Sequence, residues 1–293
     1  MRKTPWYAKA YTTLVLSFLY LPIIVLIIFS FNESKSRANW TTFSLKWYKE
    51  LLGNELILES LANTLFIAAI ASILATILGT AAALGIYSIK RKWFKTALMN
   101  VTYMPILNPE IVMGVSLLLL FVFAKENLNM PIELGFATLI VAHVTFCTPY
   151  VILNVLPKLR QIDKYTYEAA LDLGCSPTLA FYKVIIPEIS PGILTGFLMA
   201  LTYSIDDFII SYFVSSASTQ TLPVTIGAMV RKRISPEINA LSTIIFLVVL
   251  TILLAVNIAG AHKEKNTKNI LLRAKDEQKY YKNFTNNDYT YHI

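Results

Sequence analysis

Six stretches of the chain, roughly residues 11–31, 59–88, 99–123, 134–156, 191–214 and 238–261, run almost without charge. Each can cross a hydrocarbon core of about 30 Å, which takes about 20 helical residues. A segment inside a bilayer has no water to bond its backbone, so it satisfies its N–H and C=O groups by being helical. The sequence therefore predicts an all-α integral membrane protein with six transmembrane helices. Composition agrees: 15% of the residues are charged, against about 25% in soluble domains. The formal charge of +8 does not point to nucleic acid, because the basic residues flank the apolar spans or sit in the C-terminal tail. The first span, with YTTLVLSFLYLPIIVLIIFSF, is too long for a signal-peptide core and no A-x-A-like site follows, so it is expected to be retained. Pro22, Pro105 and Pro109 fall within or at the edge of spans, where membrane helices tolerate them with kinks.

Lys and Arg set the orientation. With the N-terminus inside, 18 of the 26 basic residues fall on inner segments and 8 on outer ones. Both termini are expected to be cytoplasmic, with residues 158–190 on the same side. The run Arg231-Lys232-Arg233 then lies outside and has no physical account at this level beyond proximity to a partner or an entry path. The outer segment 32–58 carries Trp40, Trp47 and Tyr48, which read as an interfacial aromatic belt or as a contact surface for an external partner. Residues 1–262 form the membrane domain in this reading. The tail, 263–293, is polar and rich in Asn, Lys and Tyr, cannot bury a core and is expected to be disordered.

One polar stretch between spans, EAALDLGCSPTLAFYKVIIPEISPGI at 168–193, reads as helix–turn–helix. A short helix ends at Gly174, a good residue just past a helix end. Ser176 can cap the next helix and Pro177 suits its first turn. Pro187 is expected to stop it. Ala169, Ala170, Leu171 and Leu173 offer a small apolar face beside carboxylates. A docking knob and an ordinary amphipathic loop both account for this.

The strongest chemical anomaly is Asp206-Asp207, inside the fifth apolar span. A carboxylate at the centre of a membrane helix costs about 2.5–3.5 kcal/mol on insertion scales, and two neighbours repel each other. On a helix they point about 100° apart. They either line a watery path and meet a cation, or form a structural pair capped by Ser, Tyr or a neighbouring helix. Tyr203 and Phe208 are near enough in sequence to wall such a path. Glu110 is a second carboxylate at a span edge, readable as pathway lining or as a helix end. His143 and Cys147 stand four apart, but a metal site would need further ligands, so no metal is expected and the histidine reads as satisfied internally. Cys147 and Cys175 share no ligand spacing and read as free thiols. There is no Walker A loop, nucleophile motif or metal set, so the chain does not read as an enzyme.

The polar stretch resembles the EAA motif of type I ABC importer permeases, EAA-x3-G-x9-I-x-L-P. Glu168-Ala169-Ala170 is followed after three residues by Gly174, and nine residues later by Val184, Ile185, Ile186 and Pro187. Val stands for the usual Ile and Ile for the usual Leu. LPIIVLIIFSFN at 21–32, NPEIVMGVSLLLLF at 108–121, HVTFCTPYVI at 143–152, SIDDFIISYFV at 204–214 and LPVTIGAMVRKRISPEINALSTI at 222–244 look like the spermidine/putrescine importer permeases of the PotC type. The likeness covers roughly residues 11–262.

The resemblance implies a MetI-like fold and a multi-pass protein of a bacterial cytoplasmic membrane. The region about 165–187 would be a coupling helix seated on an ABC ATPase dimer through Glu168, Ala169, Ala170, Gly174 and Pro187. It further implies a second permease subunit of the PotB type and an external polyamine-binding protein. ATP and Mg would be bound by the ATPase, with no cofactor in this chain. Asp206 would lie on the transport pathway, with Asp207, Glu110, Tyr203 and Phe208 as further candidates, and polyamine cargo would suit carboxylates beside aromatic walls. Importers of iron, thiamine or an oxyanion are the near alternatives, the oxyanion disfavoured by the intramembrane carboxylates. A self-contained secondary transporter is the alternative from another class; the EAA-like segment and the lack of a detectable repeat argue against it.

Overall fold

The computed structural model describes residues 5–34, 39–232, 236–248, 250–251 and 254. The expected tail and Arg233 lie outside the described residues. Apart from one isolated bridge, Asn32 to Phe43, the regular elements described are helical. The backbone divides into two units, one from residues within 1–51 and 236–293, the other from 52–235.

The first unit begins with α1 (Trp6–Ser30), which runs through Pro22 and buries only Ser30. Its exposed Phe18, Leu19 and Leu21 suit a helix whose solvent is lipid. The segment after it is built rather than loose. Asn32 is buried and serves as its hub: its side-chain oxygen accepts from the Thr41 N–H at 3.0 Å and its amide donates to the Asn39 carbonyl at 2.9 Å. The Trp47 indole N–H, on α2 (Lys46–Leu52), donates to the Asn32 carbonyl at 2.7 Å. Ser30 Oγ and the Tyr48 hydroxyl are 2.7 Å apart. Trp47 is thus a buried anchor, not a belt residue, because a partner for its N–H lies within reach; Trp40 stays half exposed. Glu237–Val248, taken as α12, is an apolar helix in the same unit.

The second unit is organised around α6 (Phe136–Gln161), with α3 (Glu55–Ser88) and α9 (Ile186–Asp206) packed on it. Small residues make this possible, as they do wherever membrane helices pack without a hydrophobic driving force. A Cβ on Gly79 of α3 would stand 2.6 Å from Val151 Cβ, and one on Gly196 of α9 would stand 3.1 Å from Val151 Cα. Gly192 sits against the Asn154 carbonyl and the Lys158 stem in the same way. Ala68, Ala71, Ala75 and Ala83 complete a fully buried stripe on α3. That helix has 34 residues, about 51 Å at 1.5 Å each, and so exceeds the hydrocarbon core.

Among the described residues, four helices are long and apolar enough to cross a membrane, five if one bent pair counts as one span. That pair takes the place of the single third span expected at 99–123, the bend at Pro109 being far sharper than a kink. α4 (Lys92–Leu107) and α5 (Glu110–Asn127) meet at 104°. Pro109 is the cause: it disfavours helical geometry at Asn108, which is extended, and then starts α5. Most of the expected span at 238–261 lies outside the described residues.

The polar stretch forms α7 (Lys164–Asp172), α8 (Pro177–Ala180) and a five-residue π turn, Phe181–Ile185, leading into α9. Contrary to expectation, Pro187 does not end the helix. It falls in the first turn of α9, and the π turn just before it, closed by the Ile186 N–H on the Phe181 carbonyl, absorbs the register change that its missing donor imposes. The fifth span therefore begins earlier than 191. It is broken at Asp207-Phe208 before α10 (Ile209–Val214). α10 is held close to α5 at Gly114, whose added Cβ would stand 2.8 Å from Phe213. α6 reaches α10 as well, where Thr138 Oγ1 donates to the Val214 carbonyl at 2.9 Å. α11 (Leu222–Lys232) completes the unit, its Leu222 N–H donating to Thr64 Oγ1 of α3 at 2.7 Å.

Candidate functional site

The two adjacent aspartates part company at the break in the fifth span. Asp207 is extended (φ −66°, ψ 118°) and buried at 6% exposure. Its Oδ1 accepts from the Ile210 N–H at 3.2 Å, and its Oδ2 accepts from the Ser211 N–H at 2.7 Å and from Ser211 Oγ at 2.8 Å. It therefore caps α10 with the donors that a helix start leaves unpaired. Asp206, the last residue of α9, is exposed and pairs with no other described residue.

His143 of α6 lies fully buried behind the break. Its Nδ1 is 2.6 Å from Ser204 Oγ on the last turn of α9, and its Nε2 is 3.0 Å from Ser211 Oγ on α10 and 3.5 Å from Asp207 Oδ2. Because Ser211 Oγ–H is committed to Asp207, the neutral ring donates from Nε2 to Ser211 Oγ and accepts from Ser204 at Nδ1. Cys147, one turn along α6, donates its thiol to the Ala200 carbonyl at 3.4 Å. Among the described residues no group of three or more His, Cys, Asp or Glu could hold a metal.

Tyr203 is one helical turn before Asp206 and partly exposed. Its ring lies against that of Tyr150 of α6, tilted by 32° at 4.3 Å between centroids, and Phe146 meets both edge-on at 6.0 and 5.6 Å. Glu110 opens α5, exposed, where a carboxylate offsets the partial positive charge of a helix start; it is also within electrostatic reach of the Tyr150 hydroxyl. Phe208 is elsewhere: its ring fills the place of a side chain on Gly227 of α11 and lies 5.9 Å from Tyr212. The Arg231 guanidinium stands 5.7 Å over the Tyr212 ring, an attraction to the π face that gives one member of the basic run a local role. Glu110 and Tyr203 thus both lie near Tyr150, with Asp206 one turn beyond Tyr203, while Phe208 packs with α11 and Asp207 is internal.

The polar stretch presents a different kind of surface. Asp163 caps α7 through the Tyr165 N–H, and Ser176 caps α8 through the Leu179 N–H. Gly174 has φ +85°. Around it the Cys175 N–H bonds the Ala170 carbonyl at 3.1 Å and the Gly174 N–H the Leu171 carbonyl at 2.9 Å, the paired closure of a Schellman motif. The turn leaves Leu173 87% exposed, with Tyr165, Tyr182 and Leu179 also exposed. Glu168, Ala169 and Pro187 are exposed, while Ala170 faces inward. The apolar face expected from Ala169 to Leu173 is therefore split.

Sequence reasoning passed over Tyr150 and the partnership of His143 with Asp207. The signal was present: a histidine and an aspartate, each inside an apolar span, are costly there unless they meet.

Residues 75–269 match the family described as binding-protein-dependent transport system inner membrane components. The chain is 39% identical over 243 residues to the putrescine transport system permease protein PotI of Escherichia coli (strain K12), covering 83% of this chain and 86% of that protein. It is 37% identical over 257 residues to the spermidine/putrescine transport system permease protein PotC of the same strain, covering 87% and 94%. Among solved structures it aligns with a chain of a bacterial ABC transporter that imports the acidic polysaccharide alginate, at TM-score 0.69 and 16% identity, covering 86% of this chain and 93% of that one. The last likeness shows the fold of an ABC importer permease.

Proposed function

The chain belongs to the family of binding-protein-dependent transport system inner membrane components, and from that premise we propose that it is a membrane-spanning half of a polyamine importer. The observation that carries the cargo class is Asp206: an exposed carboxylate at the break of an apolar span, without a partner among the described residues. A charge left unpaired in low dielectric is costly, and a polycation is the cargo that offsets it. Tyr203, Tyr150 and Glu110 add π faces and a second negative charge nearby. The PotI and PotC relatives support this reading by the substrates in their names.

The exposed turn around Gly174 is the docking point for a separate ATPase dimer, which binds ATP and Mg. A second permease and an external polyamine-binding protein complete the assembly. ATP-driven closure of the ATPase moves the docking segment, and the two permeases alternate between outward and inward access. Both termini are cytoplasmic in this arrangement, and the membrane is the cytoplasmic membrane of a bacterium.

Asp206→Asn tests the cargo site. The amide keeps the shape and removes the charge, so membrane abundance and ATPase association are retained. Radiolabelled putrescine or spermidine uptake falls at least about tenfold, equivalent to about 1.4 kcal/mol on the limiting step. Undiminished uptake at normal abundance refutes the assignment.

A further inference from the structure

We propose that His143 and Asp207 form a clasp that holds the break in the fifth span and thereby positions the exposed carboxylate of Asp206, which makes His143 a positioning residue for transport rather than a cargo ligand. The proposal rests on the reading of Asp206 given above. His143 is wholly buried and Asp207 nearly so, so neither is placed to meet a passing solute. Both spend their polar atoms on the two sides of the break. Ser204 belongs to the last turn of α9 and Ser211 to α10.

Seven residues of unbroken α-helix would set these serines about 10.5 Å apart along the axis. Bonds of 2.6 and 3.0 Å to opposite nitrogens of one imidazole keep the two hydroxyls within about 8 Å. The ring therefore suits the broken conformation better than a continuous helix, on which the two hydroxyls would have to lean toward each other to reach it. Asp207 fixes the other side, since its two oxygens accept from Ile210 and Ser211 only when it is extended ahead of α10. Ser211 Oγ donates to Asp207, and with a neutral ring the remaining two bonds run in the same sense, from Ser204 to His143 and from His143 to Ser211. Removing any member leaves a buried donor or acceptor unmade, which is costly in a dry interior. Asp206 immediately precedes the clasped residue, so its direction follows from the angle at which the break is held.

The test places a thiol at the position the clasp controls. Asp206→Cys is built with Cys175→Ser, Cys147 being fully buried. Its labelling rate by a cationic thiosulfonate is measured on the assembled transporter in membranes open to the reagent on both faces. Adding His143→Ala changes that rate at least about fivefold, and His143→Gln, which retains one donor and one acceptor, brings it back to within about twofold. Ser204→Ala, which removes one bond and little packing, shifts the rate in the same direction and decides the matter should His143→Ala fail to accumulate. With Asp206 intact, putrescine uptake by His143→Ala falls at least about fivefold, and His143→Gln recovers it. A labelling rate unchanged by both His143→Ala and Ser204→Ala overturns the clasp. An altered rate with undiminished uptake leaves the clasp standing and overturns Asp206 as the cargo site.

Discussion

Gly174 holds φ at +85° in open space, with nothing within 4 Å of where a Cβ would stand. Any penalty for a side chain there is backbone strain alone. Left-handed geometry costs an ordinary L-residue about 1–2 kcal/mol, and Asn tolerates it better than Ala. Gly174→Ala should therefore loosen the turn and reduce copurification of the ATPase and polyamine uptake, with Gly174→Asn falling between Ala and the parent. Equal retention of the ATPase by all three proteins would mean that the turn does not set the docking geometry. The glycine was legible from its place after a short helix and before a capping serine. The separate fates of Asp206 and Asp207 were not, because sequence spacing gives directions only on a continuous helix and this one stops between them.

At the scale of elements, the glycine contacts on α6 decide which helices can touch. Val151 receives Gly79 from one side and Gly196 from the other, so the α3–α6–α9 core has no room for a methyl group there. Gly79→Ala should destabilise the purified protein in detergent by about 1–3 kcal/mol, the usual cost of overpacking. Combining it with Val151→Ala should recover part of the loss, since the two residues share one contact. A thermal midpoint unmoved by Gly79→Ala would show that the helices separate at this point without cost. The apolar runs made these helices readable, and no periodic polar face was needed. Their ends were harder to read. Pro109 and Pro187 look alike in sequence, yet the first bends a span by 104° and the second is absorbed by a π turn. The difference lies in what precedes each proline: Asn108 is already extended, whereas Ile185 and Ile186 remain helical.

For the whole molecule, orientation is the property that the charge distribution addresses and the fold does not. With 18 basic residues on the segments expected inside and 8 on those expected outside, Cys175 should be protected from an impermeant thiol reagent in intact cells and react in inverted vesicles stripped of the ATPase. A cysteine replacing the exposed Glu126 should do the reverse. Labelling of Cys175 in intact cells at the rate seen for Glu126→Cys would turn the topology over. The break in the fifth span has a further consequence in that setting. A helix carries partial positive charge at its start and partial negative charge at its end. Cutting one span in two creates one new end of each kind, and Asp207 neutralises the positive one. The negative end of α9 lies beside Asp206, and such ends of interrupted helices are where transporters hold cations. If Asp206 receives the cargo as proposed, backbone dipoles would furnish part of the electrical well for a cation, and taking the charge from Asp206 would make that well shallower without emptying it.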